Sequence, residues 1–200
     1  SLPQGHVYAA MLDVPPAVAR SLMAGQRSSP TLEVRYSAGD DSTPTQQLTI
    51  AARPEISTII VKTEPPNYAL GLLGPQRIAL HEQADRLAST AALIGTKVRL
   101  DVTFNKPIPE AQVEAAAKAW ADTISGPSDT LIDAGDGQAQ GFTLIWTLNQ
   151  TITNSFDLTD DFGLQSTETD KQYRIQAIED ELPASVLLKP ATDEAVLPGA

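Results

Sequence analysis

Gln76-Arg77-Ile78-Ala79-Leu80-His81-Glu82-Gln83-Ala84-Asp85-Arg86-Leu87-Ala88-Ser89-Thr90-Ala91-Ala92-Leu93-Ile94 is the stretch on which the fold turns. Leu80, Ala84, Leu87, Ala91 and Ile94 recur at intervals alternating between four and three. That spacing is the stripe of an amphipathic helix, and Gly95 follows in a favoured C-terminal position. Immediately downstream the period changes to two. Val98, Leu100, Val102 and Phe104 alternate with Lys97, Arg99, Asp101 and Thr103, the pattern of a half-buried strand over Lys97–Phe104. Pro107 and Pro109 introduce a second expected helix, Glu110–Ile124, with Val113, Ala116, Ala117, Trp120 and Ile124 on one face.

Upstream, Thr31–Ala38 and Gln46–Ala52 alternate across the turn cluster Gly39-Asp40-Asp41-Ser42-Thr43-Pro44 and read as an antiparallel hairpin. Ser57–Thr63, with Ile59, Ile60 and Val61 in a row, reads as a buried strand. A strand over His6–Asp13 and a short helix over Ala17–Met23 precede them. Toward the C-terminus, Gly135, Gly137 and Gly141 surround a loop, Phe142–Ile152 reads as a long strand, Thr153–Asp170 as a polar loop or weak hairpin, and Gln172–Ile178 as a last strand.

From residue 6 to 104 the order is β-α-β-β-(β)-α-β, close to the ferredoxin-like order. The expected class is α+β, a mainly antiparallel sheet with two or three helices on one face. The expected organisation is one domain over 1–200, with a subdivision into 1–104 and 105–182 left open and a loose tail over 183–200. The strand–proline–helix units at 7–24 and 98–125 share a pattern without sharing identity.

Composition narrows the functions. The 200 residues carry 14 Lys and Arg against 25 Asp and Glu, a net charge of −11, and no Cys. Disulfides, thiolate metal sites and Cys nucleophiles are thereby excluded. No window of sequence clusters Lys or Arg, so neither nucleic acid nor an anionic membrane surface is an expected partner. No apolar run approaches the ~20 residues of a transmembrane helix, so no membrane insertion is expected. The N-terminal residues lack the basic and apolar regions of a signal peptide, which leaves the compartment undecided.

Few side chains point to chemistry. His6 and His81 are the two histidines, too few for a structural zinc site without Cys. Ser57 and Lys97 each open a strand, and a desolvated lysine beside a serine would make a Ser–Lys hydrolase dyad. Asp133 and Asp136, with Asp160 and Asp161, are oxygen donors of the kind that bind Ca²⁺, although Asx turns account for such residues as well. Asp161-Phe162-Gly163 matches a kinase tripeptide with none of its companion motifs. Asn149-Gln150-Thr151 is a glycosylation sequon. Trp120 and Trp146 fit core positions or interface anchors.

No motif carries catalysis and no cofactor is implied, so the balance leans away from an enzyme. The expected function is a non-catalytic structural or interaction protein, a subunit of a larger assembly such as a virion or envelope complex, with protein partners and self-association. The alternatives are a hydrolase using Ser57 and Lys97, and an extracytoplasmic module binding a small molecule or peptide on the strand face bearing Thr143, Thr147 and Asn149.

Overall fold

A computed structural model describes residue 16 and residues 31–35, 37–38, 41–42, 44–167 and 169–180. The strand expected over His6–Asp13, the helix over Ala17–Met23 and the tail from 183 lie outside the described residues.

The fold is mostly β, not an α+β arrangement with two or three helices. Among the described residues half are strand and 11% helical, and the described elements include one α-helix. The N-terminal hairpin expected from the sequence is present: β1 (Thr31–Val34) pairs antiparallel with β4 (Gln46–Thr49), and β2 (Ser37–Ala38) with β3 (Asp41–Ser42) between them. The main sheet has five antiparallel strands: β5 (Ile56–Glu64), β6 (Gln76–Ala79), β8 (Lys97–Pro109), β9 (Ser128–Gly135) and β10 (Gln138–Thr147). Their order across the sheet is β6-β5-β8-β10-β9. A second sheet holds β11 (Ile152–Asn154), β12 (Gln172–Ile178) and β7 (Leu87–Leu93), with β12 in the centre, antiparallel to β11 and parallel to β7. The helix α1 spans Glu110–Ala121.

The helix expected over 76–94 is the decisive correction. Its residues form β6, a 3-10 turn at Leu80–Glu82, an extended link and β7. Two side chains hold this path open. The backbone N–H of Ile59 donates to His81 Nδ1 at 3.2 Å, continuing the β5–β6 ladder one step past the Ala79↔Ile60 pair. The Gln83 amide accepts from the N–H of Ser89 at 2.8 Å and donates to its carbonyl at 3.1 Å, so a side chain imitates a strand partner. A helix here would forfeit the pairing of Gln76–Ala79 with β5 and all of β7 with β12. The sheet contacts outweigh a propensity difference of a few tenths of a kcal/mol per residue.

The loop expected around the three glycines is mostly a hairpin. Asp136 (φ 57°) and Gly137 (φ 74°) form a two-residue turn with both central residues at positive φ, the geometry that matches the strand twist. It joins β9 to β10. Gly141 serves a different need. A Cβ there would meet the Val102 carbonyl oxygen at 2.2 Å, so β10 lies against β8 only because position 141 has no side chain. Beside it the register between β8 and β10 jumps from Thr103↔Gly141 to Ile108↔Ala139. The extra residues of β8 accommodate Pro107, which has no N–H to give to a ladder. They also send Asn105 and Lys106 sideways. Asn105 exchanges hydrogen bonds with Glu55 and Arg53, and Lys106 reaches Asp160 and the carbonyl of Ala52.

The core lies between the inner face of the main sheet and a layer made of α1, the second sheet and the Phe156–Leu158 segment. Val61, Leu100, Leu144, Val113, Trp120, Leu158 and Ile175 are all buried in one cluster. Phe156 links the layers: its ring stacks on Trp120 at 5.5 Å, tilts against Phe142 at 6.1 Å and meets Tyr173 edge-on at 5.6 Å. Among the described residues, no helix is long and apolar enough to cross a membrane.

Candidate functional site

The outer face of the main sheet points away from this core, and its rows follow from register. One row across five strands reads Arg77 (β6), Lys62 (β5), Arg99 (β8), Ile145 (β10) and Asp129 (β9). The row beside it reads Ala79, Ile60, Asp101, Thr143 and Leu131. On the other side Glu64 pairs with Lys97 and Lys97 with Thr147. Like charges directly opposite one another destabilise a sheet, yet Arg77, Lys62 and Arg99 stand in register on three neighbouring strands.

A groove of about 470 Å³ runs over these residues, lined by Lys62, Arg77, Lys97 and Arg99, with Glu64 as its one carboxylate and Ile145 as part of its floor. Four of the chain's 14 basic residues meet there. Asp101, at the groove's margin, takes Lys62 at 2.9 Å and Arg99 at 2.8 Å, and accepts from the Thr143 hydroxyl at 2.8 Å. Burial alone would raise the Asp101 carboxyl; the hydrogen bonds from Lys62, Arg99 and Thr143 outweigh it and hold the group below the ordinary value. Asp101 thus stays ionised and balances one of two cations. Arg77 and Lys97 have no ion pair within 4.0 Å among the described residues. The groove is a cationic surface on an acidic protein, able to bind carboxylates or other anions.

The residues singled out from sequence fall elsewhere or at its edge. Ser57 and Lys97 do lie on paired strands, but the pairing is antiparallel, and two antiparallel strands begin at opposite ends. Lys97 faces Glu64, while Ser57 sits at the register shift near Thr103 and Phe104. Seven residues of strand separate the two positions, roughly 23 Å at about 3.3 Å per residue, so the structure does not bring them together.

Asp133 and Asp136 belong to the β9–β10 hairpin. Asp160 is buried and fully engaged: Oδ2 pairs with Lys106 at 2.5 Å, and Oδ1 accepts the N–H groups of Phe162 at 2.9 Å and Leu164 at 2.7 Å. Asp161 accepts from Gln138 at 2.7 Å. No group of three or more His, Asp or Glu side chains placed to hold a metal ion occurs among the described residues. Asp161-Phe162-Gly163 is the tight turn that Asp160 closes, with Gly163 at φ 73°.

Trp120 and Trp146 are buried on the inner side of the main sheet, and neither indole N–H has an acceptor among the described residues. Thr143 and Thr147 do face outward beside the groove. Asn149 is diverted into the loop after β10, where its amide donates to the Ser125 carbonyl at 3.1 Å.

Reading along the chain missed the groove because its cations are far apart in sequence. The alternation Lys97-x-Arg99-x-Asp101 on the polar side of β8 was the one local signal. Only the register adds Lys62 and Arg77 to it. No protein-family model matches the chain, and no curated protein matches its sequence.

Proposed function

We propose that the protein is a non-catalytic interaction protein, a subunit of a larger assembly, and that the outer face of its main sheet is the surface through which it assembles. The observation that supports this reading is the three-cation row Arg77–Lys62–Arg99 with Lys97 beside it, lining an open groove in a chain of net charge −11. Cations held in register on a sheet cost stability unless an anion neutralises them. A flat sheet face with charged rows suits a protein surface, where charge complementarity sets register and speeds encounter. The groove therefore takes an acidic protein surface.

A six-residue oligoglutamate is the simplest probe of that property. Titrated into the intact chain, it should bind at low ionic strength and weaken steadily as salt rises. The variant Arg77→Glu/Lys97→Glu should lose binding while keeping its thermal midpoint. No binding at low salt, or binding undiminished in the variant, would overturn the reading.

The volume of the groove gives specific support to a second reading, a module for a small anionic ligand. About 470 Å³ falls within the roughly 300–1,000 Å³ of ligand pockets. Saturable binding of a small dicarboxylate with no response to oligoglutamate would favour it.

A further inference from the structure

The outer face is divided by charge. Its β6–β5–β8 half holds Arg77, Lys62, Lys97 and Arg99 against Glu64 and Asp101, and its β9 edge carries Asp129 and Asp133. Ile60 on β5, Ile145 on β10 and Leu131 on β9 are apolar members of the same face, the last 57% exposed. We infer that the partner of this face is a second copy of this chain, stacked face to face about a two-fold axis parallel to the strands and lying between β8 and β10, with Lys62 at the groove's edge meeting the copy's Asp129. This rests on the interaction reading above and names its partner.

The register makes the case. Strands are spaced by about 4.8 Å, and packed sheet faces by about 10 Å. Rotation about that axis lays β8 over β10 of the second copy and β5 over its β9, row upon row. In the row of Arg99, Lys62 then faces Asp129 of the second copy, and Arg99 faces its Ile145. In the row of Asp101, Ile60 faces Leu131 of the second copy, and Asp101 faces its Thr143. Lys97 faces Thr147. Ile60 meets Leu131 and Lys62 meets Asp129, while Arg99 keeps Asp101 of its own copy as counter-charge, and every contact occurs twice, as an isologous interface requires. Two other simple arrangements fail on charge, and a third, an axis along β10, sets Arg99 against Asp129 but overlaps only three strands instead of four. An axis along β8 sets Arg99 against Arg99. An axis perpendicular to the strands lays the cationic half of one copy on the cationic half of the other. The aligned packing of two sheets, within about 30°, keeps these pairings closest near the axis. Arg77 stays outside the overlap.

Size-exclusion chromatography with light scattering tests this on the intact chain over a range of concentrations. The expected mass is twice the chain's 21.3 kDa, with the dimer weakening at high salt. Asp129→Lys and Lys62→Asp should each weaken it by tenfold or more, and the double swap should restore it. Leu131→Asp should weaken it to a similar degree. All three positions lie on the exposed face, and an unchanged thermal midpoint confirms each variant is folded. A chain that stays monomeric into the hundreds of micromolar overturns the second copy as occupant, while oligoglutamate binding still decides the interaction reading separately. A dimer indifferent to Asp129→Lys, Lys62→Asp and Leu131→Asp overturns the assignment to this face.

Discussion

The two faces of the five-stranded sheet share one set of backbone hydrogen bonds and differ in what their side chains meet. On β8, Val98, Leu100 and Val102 point inward and are buried, while Lys97, Arg99 and Thr103 on the same strand are exposed. The inner face stabilises the fold by removing apolar area from water, about 25 cal/mol per Å². The outer face contributes little to stability, because its ion pairs are half-exposed and such pairs are worth about 0–1 kcal/mol. A single period-two strand therefore separates two roles: one face holds the molecule together, and the other is left free of that constraint.

Substitutions can test that division. The largest loss is expected for Trp120→Ala, which empties the space between α1 and Phe156 and should cost about 3–5 kcal/mol, read as a fall in the denaturant midpoint. Asp160→Ala should cost a similar amount, about 3–5 kcal/mol, because it leaves Lys106 facing a buried void with no counter-charge. That pair also predicts an acid response. Burial would raise the Asp160 carboxyl, but hydrogen bonds from Lys106, Leu164 and Phe162 hold it below its ordinary 3.8. A carboxylate lowered in the folded state stabilises fully above its unfolded value, and that stability is lost as pH falls through the folded value. Wild-type stability should therefore decline below about pH 5, and the decline should be shallower in Asp160→Ala when thermal midpoints are measured across pH.

Gly141→Ala tests the seam between the two faces. Its methyl group would press on the Val102 carbonyl, which the β8 ladder holds in place, at an expected cost of about 1–3 kcal/mol. Amide exchange should rise first along the β8–β10 pairing. The smallest effect is expected on the outer face. Arg77→Ala should change stability by less than about 0.5 kcal/mol in either direction, and relief of the like-charge row favours a slight gain. A large loss at Arg77 would mean that the outer face also supports the fold, and the division between faces would fail.

Some elements were plain in the sequence for a physical reason. β8 and β12 alternate cleanly, because each has one face in the core. Helix α1 shows its stripe because Val113, Ala117 and Trp120 are its buried residues. The 76–94 segment was misleading because its apolar residues fit two periods. Leu80 and Ala88 are buried in the core, while Leu87, Ala91 and Ile94, which complete a helical stripe, are left on a half-covered layer. What decided between the periods was pairing with β5 and β12, neither of which is a sequence neighbour of both halves. β9 was hidden by its exposure: its residues carry almost no buried side chains to set a period. The Asp136-Gly137 pair was a hairpin signal all the same. The groove was not legible at all, since its cations come together only through register among three strands.

The position of β12 has a consequence for the order of events when the chain folds. It is the central strand of its sheet, and it is also the last described strand. Its parallel partner β7 lies some 85 residues earlier, since Gln172 pairs with Leu87. Pairing across so long a loop is slow, because closure entropy must be met before the contacts reward it. During synthesis, β7 and β11 stand as two unjoined edges until Ile178 has left the ribosome. A nascent chain stopped before Gln172 would carry both edges bare, and strand edges of this kind recruit other chains. Commitment to the native state is therefore timed by the synthesis of β12.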